Sequence, residues 1–151
     1  MAPVRPVRVV FVCIGNAYRS QMAEGLANRL GWDVLEAESA GLTPVDRVPE
    51  ATLEVMREKG IDISTQFPKA AGSLELKSYD VVVNMTGLPI PGAPRSSTRA
   101  WVVPDPVGSG YEGVRAARDE IEGLVMGLIL ELRRQRAREE KPRLHPKLRG
   151  V

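Results

Sequence analysis

The sequence predicts an α/β protein with a parallel sheet covered on both faces, and three observations carry the prediction. Apolar runs too short to be helices alternate with stretches of helical periodicity. The first run, residues 8–13 (RVVFVC), is β-branched and aromatic through its interior, which suits a strand buried on both faces. A chain of 151 residues also fits a single hydrophobic core. With 43% hydrophobic and 26% charged residues, the composition is that of a globular protein, not of a disordered chain, a collagen repeat or a rod.

The elements follow in order. After the 8–13 strand the chain breaks at Gly15-Asn16, and a helix over 20–30 is predicted from Met22, Leu26 and Leu30, with Gly31 as its stop. A weaker strand is predicted over 32–37. Pro49 suits a helix start, and Leu53, Val55 and Met56 lead to Gly60, which ends that helix. Strands are predicted over 79–85 (YDVVVNM) and 100–103 (AWVV). A long helix over 112–138 carries Ile121, Leu124, Val125, Leu128, Ile129 and Leu132 as one apolar stripe. The Pro/Gly/Ser-rich stretch 86–99 exceeds a minimal turn and reads as a flap. Residues 1–138 are expected to form a single domain, and 139–151 a basic, flexible tail.

Charge and cysteine content exclude several functions. Residues 133–151 carry eight Lys/Arg against Glu139 and Glu140, a net +6, which leaves the first 132 residues at −4. No aromatic residues interleave the tail's cations, so they read as a solvated helix end and no nucleic-acid partner is expected. One Cys and one His can build neither an intramolecular disulfide nor a Cys/His zinc cluster, so no metal or other cofactor is expected. The apolar runs at 9–14 and 124–130 fall short of the ~18 residues of a membrane span, and the N-terminal stretch does not read as a secretory signal. The expected setting is the cytoplasm, without membrane association.

The chemistry concentrates in Cys13-Ile14-Gly15-Asn16-Ala17-Tyr18-Arg19-Ser20, which joins a buried strand to a helix. Five residues between Cys and Arg let the backbone curl until successive N–H groups face inward, a nest for a tetrahedral oxyanion. Gly15 and Asn16 tolerate the positive φ that such a curl demands. The following helix adds its positive end, and Arg19 can grip two oxygens with its planar fork. In that field Cys13 is expected to be ionised at neutral pH, with Ser20 donating to its sulfur. Ile14, Gly15, Asn16, Ala17, Tyr18 and Ser20 are the expected substrate-binding residues. There is no GxxxxGK of a nucleotide loop and no CxxC of a dithiol site. Asp105, in an Asp-Pro pair after a predicted parallel strand, is placed to protonate a leaving alkoxide or phenolate.

CIGNAYRS resembles the signature of the low-molecular-weight protein tyrosine phosphatases and of the arsenate reductases that share their fold. The resemblance continues through Ser39-Ala40-Gly41, 60–64 (GIDIS), 80–85, 101–106 and 118–121, about residues 7 to 132 in all. It implies a three-layer sandwich around a four-stranded parallel sheet, the flavodoxin-like arrangement. It also implies that Cys13 attacks the oxyanion, Arg19 binds it and Asp105 protonates the leaving group, while Asn16, Ser20 and Ser39 hold the loop in shape.

Departures bear on the branch. Gln21 stands where the phosphatases usually place Pro, and is similar to the reductases; Val107 stands where the phosphatases usually have Tyr. Yet reductases that pass electrons to thioredoxin need two further cysteines in the flap. Cys13 is the only one here, and Tyr18 replaces a Cys common in both branches. The expected function is a cysteine-dependent phosphate-monoester hydrolase. The alternatives are an arsenate reductase served by an external thiol partner (glutathione, mycothiol or a glutaredoxin-like protein) and an oxyanion-binding module without turnover.

Overall fold

A computed structural model gives the fold for residues 5–140. Its axis is β1 (Val7–Cys13), whose residues from Val9 to Cys13 are all buried. β2 (Leu35–Gly41) pairs with one edge of β1, β3 (Val81–Asn84) with the other, and β4 (Thr98–Ala100) extends the sheet beyond β3. Every pairing is parallel and the order is β2-β1-β3-β4, so the winding reverses at β1. Crevices for ligands in such sheets lie beyond the carboxyl ends of the strands at this reversal. The loop after Cys13 leaves the sheet there.

Alternation along β1 feeds two cores. Val9, Phe11 and Cys13 pack with side chains of α1 (Arg19–Leu30), α2 (Glu50–Arg57) and α3 (Gly110–Glu140), among them Met22, Leu26, Met56, Ile121, Val125 and Ile129. Val10 and Val12 pack on the opposite face against Ala71, Leu76, Tyr79 and Ile90. The expected three layers are present, with all three helices on one face. Short 3-10 turns at Ala71–Ser73 and Leu76–Ser78, with the segment that carries Ile90, cover the other. The stretch read as a flap is thus packed through Ile90, and its end forms β4.

Two strands depart from expectation. The 32–37 strand is displaced to Leu35–Gly41 because residues 31–34 close α1: Val34 and Leu35 both donate to the Gly31 carbonyl, and Trp32 is 77% exposed. The 100–103 strand is displaced to Thr98–Ala100, with Val102 88% exposed, because the chain swings off the sheet towards Arg19. α2 ends at Arg57, and a turn through Gly60 (φ 71°) follows it. α3 runs through Glu140, two residues past the expected boundary; the rest of the basic tail, His145 included, lies outside the described residues. Two of the cations among residues 133–151, both on α3, do more than face solvent. Arg133 grips both carboxylate oxygens of Asp33 at 2.8 and 3.0 Å, and Arg136 donates to the Asp33 carbonyl at 2.6 Å. Among the described residues no helix is long and apolar enough to cross a membrane.

Arg118, only 6% exposed, donates to the Val55 carbonyl at 2.8 Å and to Glu58 at 2.6 Å, clamping α3 onto the end of α2. Hydrogen bonds from Arg115 and from Arg118 hold the Glu58 carboxyl down to about 2 from an ordinary 4.5. A depressed carboxyl stabilises the fold above its unfolded pKa, and that contribution is lost as the pH falls through the folded one. The stability advantage of the wild type over Glu58→Gln should therefore be complete above pH 4.5 and fade towards pH 2, as read by denaturant titration across that window.

Candidate functional site

Between β1 and α1 the backbone turns its carbonyls outward, and each finds its own partner. The Cys13, Ile14 and Gly15 carbonyls accept from the Leu42, Thr43 and Val45 amides at 3.1, 2.9 and 2.9 Å. The Asn16 carbonyl accepts from the Gln21 side chain at 3.0 Å, that of Ala17 from the Thr52 hydroxyl at 3.0 Å, and that of Tyr18 from the Met22 amide at 3.0 Å. None of the amides of residues 14–19 donates to an acceptor among the described residues. A loop with its oxygens captured on the outside and its N–H groups unengaged is a nest for an anion, at the positive end of α1. The curl needs one left-handed residue, and Asn16 supplies it (φ 52°); Gly15 does not take positive φ.

Buried side chains set the loop from beneath. The Asn16 Oδ1 accepts from the Lys69 amide at 2.9 Å, which fixes its Nδ2 towards the Ser20 hydroxyl at 2.7 Å and the Ser39 hydroxyl at 3.0 Å. The Ser20 hydroxyl also lies 2.9 Å from the Cys13 sulfur, and its proton can be donated to that sulfur when it is ionised. Ser39 in turn donates to Glu24 at 2.6 Å. Burial pushes the Glu24 carboxyl above its ordinary range, opposed by the Ser39 hydrogen bond and the Lys69 charge.

Arg19 is 6% exposed and pinned: one guanidinium nitrogen donates to the Met85 carbonyl at 2.8 Å and to the Val103 carbonyl at 3.0 Å. The other nitrogen stands 3.5 Å from an Asp105 carboxylate oxygen, and the second Asp105 oxygen accepts from the Val107 amide at 3.1 Å. Above the sulfur opens a cavity of about 220 Å³, lined by Cys13, Ile14, Gly15, Ala17, Tyr18 and Arg19 from the loop and by Thr43, Val45, Asp105 and Val107 at the mouth.

The structure thus brings Cys13, Arg19 and Asp105 into one cavity, with Ile14, Gly15, Ala17 and Tyr18 in its wall. Asn16 and Ser20, both fully buried, are absent from that wall; their side chains brace the loop, as Ser39 does. Several contributors escape the sequence reading. Thr43 and Val45 line the mouth because β2 pairs with β1 up to Gly41 and delivers the next residues to the same sheet edge. Register alone could have found them. Thr52, Gln66 and Lys69 carry no local signal, since their contacts depend on the packing of α2 and the 60–70 segment. Gln21 is fully buried; it binds the Asn16 carbonyl and accepts from Gln66 at 2.9 Å.

Gly41 is where β2 touches the loop. A Cβ there would lie 2.8 Å from both the Asn16 nitrogen and the Ile14 carbonyl oxygen, backbone atoms that cannot step aside. Gly41→Ala should cost about 1–3 kcal/mol in stability by overpacking. It should also weaken binding of inorganic phosphate at least tenfold, on the order of one kcal/mol or more, measured by isothermal calorimetry under conditions where the variant remains folded.

Comparison with known proteins extends these observations. Residues 8–138 match the family described as low molecular weight phosphotyrosine protein phosphatase. A putative arsenate reductase of Halobacterium salinarum is 38% identical over 127 residues, covering 80% of this chain and 89% of that protein. A glutaredoxin arsenate reductase of Synechocystis sp. is 35% identical over 129 residues, covering 83% and 98%. Among solved structures, the YwlE arginine phosphatase from Geobacillus stearothermophilus aligns with a TM-score of 0.80 at 26% identity, over 91% of this chain and all of that one. The matched residues include the loop and all but the first residue of the four strands and the last two of the three helices; the chain belongs to the low molecular weight phosphotyrosine protein phosphatase family of enzymes.

Proposed function

We propose that the protein is a cysteine-dependent phosphate-monoester hydrolase of the tyrosine-phosphatase type, working through a cysteinyl-phosphate intermediate. The observation that carries this is the amide nest closed over Cys13, with Asp105 and Arg19 sharing its mouth. The amides of residues 14–19 and the Arg19 guanidinium would hold the three non-bridging oxygens of a phosphate ester. The Cys13 sulfur, steadied by the Ser20 hydroxyl, attacks phosphorus as the ester P–O bond breaks, and Asp105 delivers a proton to the departing oxygen. Asp105, now a carboxylate, takes a proton from a water that attacks the thiophosphate. The P–S bond breaks, inorganic phosphate forms and the thiolate returns. Every group needed belongs to this chain. The cavity is small, and Val45 and Val107 add apolar surface beside Thr43 and Asp105 at its mouth. A cytoplasmic setting, where thiols stay reduced, suits a mechanism that depends on a free sulfur.

A second reading is arsenate reduction, supported by the reductases among the relatives and by Gln21 beneath the loop. Arsenate reduction takes two electrons from two thiols. This chain has one, so the other would come from a small thiol or a glutaredoxin-like partner.

Assay of both activities on one purified sample separates the readings. The phosphatase reading predicts turnover of p-nitrophenyl phosphate with a stoichiometric burst, abolished in Cys13→Ser. Arsenate-dependent NADPH oxidation with a thioredoxin, glutaredoxin or mycothiol system, without activity on aryl phosphates, would establish the reductase instead. Asp105→Asn should lower kcat/KM, which reports the leaving-group step, by about 10²–10⁴-fold on esters with poor leaving groups and far less on p-nitrophenyl esters. Equal effects on both would remove Asp105 from the acid role.

A further inference from the structure

A carboxylate beneath the loop takes no part in the mechanism above. Glu24 lies on α1, one turn beyond Ser20, and accepts from the Ser39 hydroxyl at 2.6 Å. Burying part of a carboxyl is costly unless it is hydrogen-bonded, and the Ser39 hydroxyl is the side chain that bonds Glu24. Tracing the protons outward from Glu24 gives each donor one direction. Ser39 has given its hydrogen to Glu24, so it can only accept from the Asn16 Nδ2, 3.0 Å away. The Asn16 amide cannot flip, because its Oδ1 is engaged by the Lys69 N–H at 2.9 Å. The same Nδ2 donates to Ser20 at 2.7 Å, and the Ser20 hydroxyl lies 2.9 Å from the Cys13 sulfur, to which it donates when that sulfur is a thiolate. Chains of this kind polarise along their length.

We propose that Glu24 is a positioning residue for the Cys13 nucleophile, acting through Ser39, Asn16 and Ser20 to fix the direction of the hydrogen bond to sulfur. The inference rests on the reading of Cys13 as nucleophile and adds the far end of the relay that steadies it. The charges that face Glu24 come from two neighbouring elements: Glu38 on β2, which disfavours its ionisation, and Lys69 on the 60–70 segment, which favours it. What the relay requires of Glu24 is an acceptor oxygen, since Ser39 must donate towards it.

Because Cys13 is the chain's only cysteine, alkylation by iodoacetamide reports on that sulfur alone. The rate is measured against pH for the intact protein and for Glu24→Ala, Glu24→Gln, Ser39→Ala and the Glu24→Ala/Ser39→Ala double variant, each first checked for folding by circular dichroism. The wild type should react from its thiolate in mildly acidic solution. Glu24→Ala should move the profile about one pH unit towards alkali, roughly a tenfold loss of thiolate below the midpoint. Phosphatase kcat near pH 6 should fall in step, with KM little changed. Glu24→Gln, which keeps an acceptor oxygen, should stay with the wild type. Ser39→Ala should match Glu24→Ala, and the double variant should add nothing further, as links of one chain require. If Glu24→Ala does not fold, Ser39→Ala against Glu24→Gln decides the matter. Profiles of Glu24→Ala and Ser39→Ala that coincide with a wild type reacting in mild acid would overturn the proposal alone; so would Glu24→Gln moving as far as Glu24→Ala. A wild type that reacts only as an ordinary alkaline thiol would overturn the reading of the site, and the relay with it.

Discussion

Everything at this site depends on the outward capture of six backbone carbonyls. A peptide unit carries its N–H opposite its C=O, so a loop that turns its oxygens out turns its hydrogens in. Converging several N–H dipoles on one point is unfavourable by itself, and water would offer the carbonyls equally good partners in an unfolded chain. Each captured carbonyl contributes only about 0.5–1.5 kcal/mol net. Direction is the more important result. The donors come from the stretch after β2 (Leu42, Thr43, Val45), from α1 (Gln21, Met22) and from α2 (Thr52), so the loop has its shape only when those elements are docked. The anion nest is therefore a tertiary structure rather than a local motif.

The sheet order explains why these donors are at hand. Reversal of winding at β1 leaves its carboxyl end flanked by the ends of β2 and β3, and the chain beyond β4 brings Val103 and Asp105 to Arg19. From one flank comes the Gly41 backbone, close enough to admit no side chain. From the other come the Met85 and Val103 carbonyls, which immobilise the Arg19 guanidinium. A buried cation needs such acceptors to offset its lost hydration. The brevity of β4 follows: the chain leaves the sheet after Ala100 so that Val103 reaches Arg19 and Asp105 arrives at the mouth. The departure of the chain from regular structure is thus part of how the site is assembled.

The elements that stood out in the sequence are those whose residues meet one environment. β1 is apolar on both faces and α3 carries an uninterrupted stripe, so both were legible to within two residues. β2 lies at the sheet edge with Glu36 and Glu38 in it, and its pattern was masked by Trp32 and Val34 in the 31–34 turn that closes α1. The loop was legible because its residue types are dictated by backbone geometry: Asn16 for the left-handed turn, and the spacing of Cys13 from Arg19 for the curl. Its supports were not. Thr52, Gln66 and Glu24 look like ordinary helix and loop residues, and only tertiary packing reveals what their oxygens and nitrogens hold.

The proposed reaction requires that phosphorus be transferred to the Cys13 sulfur. Acid-quenching the enzyme within the first turnover of an aryl phosphate, then locating the phosphate by peptide mass spectrometry, tests this directly. Phosphorylated Cys13 is expected in the peptide spanning β1 and the loop, present early and lost as inorganic phosphate accumulates. Release of the phenol with Cys13 unmodified at every time point, or a phosphate found on another side chain, would contradict it.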